Sequence, residues 1–231
     1  FDGDQVWLEV QADGQTVSPR VRFVSVPYAI RAGNSGSSEG WGLTGNAGTN
    51  PAQNFLGTTD QQPLVLKCDG SQVVKLETIY FGDTDYMTTT ANVVAGHKQN
   101  EASPGVAGAA IGGGGYSVYD SATQQTTHYP NRVTDYFGTI GGGAGNLAGN
   151  NTGTTEDATY ATVGGGQLNT ASNTYSTVPG GYYNTAAGYS SFAAGNRAKA
   201  MNMGAFVWSD SSGGEFQSSS YNQFLVRAVG G

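Results

Sequence analysis

The sequence predicts an all-β chain: a Gly-rich parallel β-roll or β-solenoid of ~15-residue coils with short flanking β-strand segments. One phrase of Gly, Ala, Thr and Asn recurs through residues 161–195, "ATVGGGQLNTASNTYSTVPGGYYNTAAGYSSFAAG", and its β-branched anchors Val163 and Val178 stand 15 residues apart, with Ala193 another 15 on. An asparagine follows at a fixed distance of six residues, as Asn169 after Val163 and Asn184 after Val178. Glycine supplies 37 of 231 residues, about twice the usual share, so much of the chain must turn. A period this short has no room for a helix pair and fits two strands of about five residues, each followed by a turn. A flexible linker of the same composition would not hold β-branched and Asn positions in phase.

The register extends upstream. Asn146 follows Ile140, and Asn100 follows Val94, at the same distance; Ile111 opens "IGGGG" with its asparagine displaced to Asn131, nine residues before Ile140. The array therefore has anchors at Val94, Ile111, Ile140, Val163, Val178 and Ala193. Glycines give positive φ where the chain turns over its neighbour, and the asparagines are expected to tolerate the left-handed conformation and bond their own backbone. Ala171 and Ala186 read as inward positions, small because the coil is narrow.

Two excursions break the spacing. Some 14 extra residues lie between Ile111 and Asn131, and eight between Asn146 and Val163. Insertions in a solenoid become flank loops, where binding often resides. The first carries Tyr116, Tyr119, His128 and Tyr129, the candidate ligand-binding residues, because such side chains give contact area at low entropic cost. Packing against a neighbouring subunit would use the same loop equally well.

Along the chain, 1–32 reads as an N-terminal β segment, with "QVWLEVQ" alternating as a half-buried strand and "VRFVSVPYAIRA" as an extended run; 33–50 is a Gly/Ser linker. Residues 51–93 form a β-strand neck, with short strands at Phe55 to Thr59, Leu64 to Lys67 and Val73 to Glu77 and a hairpin turn at "CDGSQ". The repeat array spans 94–200, with insertions at about 116–130 and 149–157, and 201–231 is a C-terminal β segment holding "GAFVWSD" and "NQFLVRA".

Composition excludes several functions. Net charge is −7, which argues against a nucleic-acid backbone as partner. The lone Cys68 rules out an intrachain disulfide framework and a Cys-rich metal site. No apolar run approaches the length of a membrane span, and the start at Phe1, without Met or a signal segment, reads as a processed or truncated piece. "GGGAGN" recurs as a coil turn and opens no helix, so it is no phosphate loop. Asp83 with Asp85, and Asp210 with Glu215, lack a calcium-loop pattern. Asn150 heads an N-x-T sequon. The acids of the array, Glu101, Asp120, Asp135, Glu156 and Asp157, are scattered over turns and insertions, so paired-acid catalysis ranks last; no catalytic residue, metal or cofactor is expected.

Three phrases agree on a resemblance: "VSPRVRFVSVPYAIRA" (17–32), "NFLGTTDQQPLVLK" (54–67), and the "TVGGG" coils ending in "FVWSDSS" and "NQFLVRA". With them the chain resembles a family of bacterial and phage-like surface fibre proteins, and its coils are similar to the head repeats of trimeric autotransporter adhesins. The resemblance implies a left-handed parallel β-roll in each of three intertwined chains, extracellular and on a cell or virion-like particle surface. Family members continue beyond "FLVRA" and carry a fuller β-domain before "SPR". The expected function is a trimeric adhesin-like fibre that attaches to a glycan or protein receptor without catalysis. A structural filament or sheath subunit, and a tail-fibre or tailspike-like glycan-binding protein, are the alternatives. Its first partner is itself, as a homotrimer or higher polymer: Phe137, Tyr160 and Tyr175, three before their anchors, mark the face expected to meet two other copies.

Overall fold

A computed structural model describes residues 7–22, 41, 44–82 and 86–230. It divides into two compact units, 1–56 and 57–231. The first contains an antiparallel hairpin, Trp7–Ala12 with Gln15–Arg22. Its turn is Asp13-Gly14, both at positive φ (51° and 77°), the geometry that joins two twisted strands most tightly. The second strand thus starts at Gln15, ahead of the extended run expected from residue 21; beyond Arg22 that run lies outside the described residues, as does most of the linker.

The second unit is a parallel β-solenoid of about eight turns, with no helix among the described residues. One wall stacks the anchors in parallel register: Val94 on Ile111, Ile111 on Ile140, Ile140 on Val163, and Val163 on Val178. The frame then continues past residue 200, because Phe192–Asn196, Phe206–Ser209 and Phe224–Arg227 pair in parallel on the same sheet. The facing wall stacks Ala102, Val133, Ala148, Ala171, Ala186 and Ala200. Most coil strands have only two residues, of which one points in and one out. All of these inward side chains are buried, and together they form the core.

A core this thin is fitted at single-methyl precision. Val133 stands in a column that is otherwise alanine, and two residues before the next anchor Gly138 occupies the slot that Ala109 and Ala161 fill in other coils. A Cβ on Gly138 would collide with Cγ1 of Val133, so the larger residue on one wall is matched by the smaller on the other.

Between the walls, the chain turns through Gly114, Gly143, Gly166, Gly181 and Gly195, all at positive φ (72° to 105°). A Cβ on any of the first four would sit on the carbonyl oxygen of the next glycine in the column, and one on Gly195 on that of Ser209, so no side chain fits there. Next comes the asparagine column. Asn100, Asn131, Asn146, Asn169 and Asn184 are buried, and the Oδ1 of each accepts the backbone N–H of the residue one coil further on (2.9–3.1 Å). Each Nδ2 donates to turn carbonyls; that of Asn169, for example, bonds Gly165 and Gly181, both at 2.9 Å. The expected left-handed backbone falls one residue earlier, at Gly145, Leu168 and Tyr183. The asparagines thus serve by bonding across coils.

The N-terminal end of the anchor sheet is closed by antiparallel strands Leu64–Cys68 and Ser71–Phe81. Asp69-Gly70 forms their turn, as "CDGSQ" predicts. Thr88–Ala95 then pairs antiparallel on one side and parallel on the other, so it joins neck to solenoid. Phe55 to Thr59, expected as a strand, is irregular and exposed, and no strand among the described residues offers it a ladder of hydrogen bonds.

Outside, Phe137, Tyr160 and Tyr175 stack ring on ring at 5.1 and 5.4 Å, and Tyr189 meets the end of the stack edge-on. The first three hold left-handed backbone (φ 58–59°) unfavourable to any residue with a Cβ, which the stacking helps to offset. Phe192, Phe206 and Phe224 make a second stack, both steps at 4.6 Å.

Gly138→Ala should destabilise the protein by about 1–3 kcal/mol through overpacking against Val133. Adding Val133→Ala should return part of that loss, giving a coupling of at least ~0.5 kcal/mol in a double-mutant cycle by denaturant unfolding. Strict additivity would contradict the match between the walls.

Candidate functional site

The first insertion leaves the solenoid after Gly115 and returns at Pro130. It forms an antiparallel hairpin, Tyr116–Asp120 with Gln125–Tyr129, pairing Tyr116 with Tyr129, Ser117 with His128 and Tyr119 with Thr126. Every residue of the first strand is exposed. At the tip, the Asp120 carboxylate accepts from the Ala122 and Thr123 N–H groups and the Thr123 hydroxyl, and the Thr123 hydroxyl bond, followed by the Ala122 amide, lowers its pKa.

A two-stranded ribbon is marginal by itself, so its attachment decides whether it holds a shape. Tyr116 stacks on Tyr129 (centroids 4.9 Å apart), and Gln167 Nε2, two coils along, donates to the Tyr116 hydroxyl at 2.9 Å. The Tyr129 carbonyl accepts from Gly145 N–H. On the opposite face, Ser117 Oγ lies 2.9 Å from His97 Nε2 and 2.6 Å from His128 Nδ1. The Gln99 N–H, 3.3 Å from His97 Nδ1, makes that nitrogen the acceptor. In the neutral rings His97 Nε2–H therefore donates to Ser117, and the Ser117 hydroxyl donates to His128. Burial, then the charges of His128 and Lys98, lower the His97 pKa and favour its neutral form.

The four candidate residues of the sequence reading therefore divide. Cross-strand partners share a face and successive residues alternate, so Tyr116 and Tyr129 occupy one face, Tyr119 and His128 the other. Tyr116, Tyr129 and His128 fasten the hairpin, whereas Tyr119, 62% exposed, stands free near the tip beside exposed Val118.

An open groove of about 850 Å³ runs along the hairpin base. Its polar lining includes Lys98, Gln99, Glu101, His128 and Arg132. Tyr129, Leu147 and Leu168 supply its apolar surface. Glu101 and Arg132 form an ion pair, with Oε1 2.7 Å from Nε. Sequence reasoning named only the hairpin residues here, because the cations lie in two different coils, 34 residues apart in the chain.

The second insertion is built around a carboxyl pair that the sequence reading left scattered. Asp135 is fully buried; it accepts from Thr134 Oγ1 and Asn150 N–H (both 2.9 Å) and from Ala158 N–H. Burial pushes its pKa up, and the hydrogen bond with Asp157 acts in the same direction, so of the two carboxyls Asp135 is the first to take up a proton as pH falls. Thr154, Asn150 and other donors hold exposed Asp157 down at about 2. Acid-pair glycoside chemistry needs carboxyls roughly 5–9.5 Å apart with the sugar between them. Here the two bond each other and clamp a loop.

The other acids noted in the sequence go elsewhere. Asp210 faces Arg227 and Glu215 faces Lys199, both at 3.5 Å, so the two do not converge. Asp83 and Asp85 lie outside the described residues. No group of three or more His, Cys, Asp or Glu is placed to share a metal ion among the described residues.

The depressed carboxylate sets an expectation for acid. The folded pKa of Asp157, about 2, is below its ordinary value of 3.8, so its stabilising contribution is present above pH 3.8 and is lost as pH falls toward 2. Thermal unfolding should show the melting temperature dropping over that window, and Asp157→Asn should flatten the drop. An equally steep acid limb in the variant would contradict the assignment.

Comparison of the chain with family models, curated proteins and solved structures finds no match.

Proposed function

We propose that this chain is part of an extracellular trimeric fibre that attaches to another surface through its first-insertion hairpin, without catalysis. The observation that carries this reading is a wholly exposed strand with aromatic side chains, fastened at its base to a rigid coil stack by His97 and Gln167 from two other coils. A structural stack has no need of such a projection. A binding device benefits from it, because contact groups held in place lose little further entropy on binding.

The trimer is supported by the outer aromatic stack. Tyr160, Tyr175 and Tyr189 remain 47%, 51% and 46% exposed after stacking on one another. Three successive half-exposed rings on one flank form an apolar stripe that a closed symmetric assembly would cover. In the proposed fibre each chain turns this stripe toward its two neighbours, while the hairpins project outward.

Because Tyr116 and Tyr129 also fasten the hairpin, Val118→Ser with Tyr119→Ala is the cleaner test. This double variant should lower attachment to receptor-bearing cells at least tenfold while shifting the melting temperature by no more than about 2 °C. Undiminished attachment would remove the hairpin from the reading. For assembly, light scattering should give about three times 23.8 kDa, with unfolding and dissociation as one event. A stable folded monomer at micromolar concentration would refute the trimer.

A further inference from the structure

We infer that the groove at the hairpin base is a subsite for an anionic sugar, in which Lys98 and Arg132 receive the acidic group and Gln99 and Tyr129 receive the ring and its hydroxyls. The inference rests on the adhesive reading of the hairpin and names the chemistry that the hairpin would meet.

Charge is the first argument. The chain carries 17 acids against 10 Lys and Arg, yet this groove is lined by Lys98 and Arg132 against a single carboxylate, Glu101. That carboxylate lies 2.7 Å from Arg132 Nε as an ion pair without hydrogen-bond geometry, and no hydrogen bond engages the Arg132 side chain among the described residues. A guanidinium whose carboxylate lies on its Nε side keeps its terminal N–H groups for a planar anion. Lys98 is exposed and has no ion-pair partner among the described residues. A pair of cations on an acidic protein, one with its terminal N–H groups uncommitted and one unpaired, suits an anion.

The second argument is an unmet hydrogen bond. Gln99 lines the groove, and its side-chain Oε1 is buried without a partner. Such an atom has given up the hydrogen bond that water provides in the unfolded chain, so a buried unpaired amide oxygen calls for a donor. By turning its amide toward the groove that it lines, Gln99 would exchange that unpaired state for a sugar hydroxyl, which both donates and accepts.

The third argument is shape. The groove is open, which suits a chain end lying along it. Tyr129 is already immobilised by its stack on Tyr116, and Leu147 and Leu168 give apolar surface for the C–H side of a ring. His128 lines the same groove while its Nδ1 is occupied by Ser117, which in the neutral ring leaves a proton on Nε2 to donate. Anion, hydroxyl donor and apolar ring face occur together in acidic saccharides.

The acidic group can be a sugar carboxylate or a sugar sulfate, and a common core separates them. The purified full chain is passed over immobilised lactose, 3′-sialyllactose, 3′-sulfolactose and a galacturonate trisaccharide in surface plasmon resonance. The expected result is salt-sensitive binding of the anionic sugars, at least tenfold tighter than lactose. Lys98→Gln and Arg132→Gln should each weaken it at least tenfold; Lys98 is exposed, so its variant keeps the test sound if the Arg132 change loosens the coil. Arg132→Lys should restore less for the carboxylated sugars than its retained charge would suggest. Preference for sialyl and galacturonate ligands assigns a carboxylate, and preference for sulfolactose assigns a sulfate. Equal binding of lactose, no binding of any of the four, or indifference to both variants would overturn the inference. Cell attachment lost in the Val118/Tyr119 variant but unaffected by Lys98→Gln would overturn it while leaving the adhesive reading standing.

Discussion

The solenoid depends on the asparagine column. Strands of two residues contribute too few ladder bonds to account for a coil of about fifteen, so the remaining amides and carbonyls must be paired at the corners or lose free energy. Each buried asparagine pairs several of them, accepting from the coil ahead and donating to turn carbonyls of its own coil and a neighbour. The side chain acts as a piece of backbone that branches. Its repeat converts a Gly-rich chain, which has the most conformational entropy to lose, into a stack whose coils share one register. The glycine column is its necessary complement, because the same corner has no space for a Cβ.

Once the register is held at that corner and on the two walls, the connections between them can vary. The hairpin enters just before Asn131, and the second loop enters after Ala148, yet both chains return to the same column positions. Added length costs little when loop closure is already defined by paired ends. Each insertion is then fastened by its own polar network: Ser117 between two imidazoles for the hairpin, and the Asp135–Asp157 pair for the loop. In the proposed reading, function is carried by segments that interrupt the repeat, and the repeat supplies the rigidity that keeps the interruptions in place. The proposed anionic-sugar groove follows the same division, with coil residues as cations and hairpin residues as its aromatic wall.

The outer surface shows how a chain with a thin core obtains further contact. Aromatic side chains at the corner three residues before the anchor accept left-handed backbone and recover free energy by lying on the ring of the next coil. Toward the C-terminal end the outward column changes from Thr139, Thr162 and Thr177 to Phe192, Phe206 and Phe224, and the stacking moves to the sheet face. The aromatic flank is therefore partly satisfied within one chain and still half exposed, a state between a core and an interface.

What the sequence determined alone is whatever repeats. Val163, Val178 and Asn169 recur at one spacing because identical positions must stack on identical positions, so all-β class, anchor columns and the location of both insertions were legible before any coordinates. Some of the repeat escaped because its spacing shifts: Val207 and Leu225 continue the anchor column after coils of 14 and 18 residues, where a fixed frame loses them. The true left-handed positions escaped too, since Tyr160 and Leu168 have no intrinsic preference for that conformation and adopt it only because neighbouring coils reward it. Tertiary structure alone brought His97 to His128, Asp135 to Asp157, and Lys98 to Arg132. Such pairs arise between coils, where residues distant in the chain come together through the stacking of others, and no local pattern records the meeting.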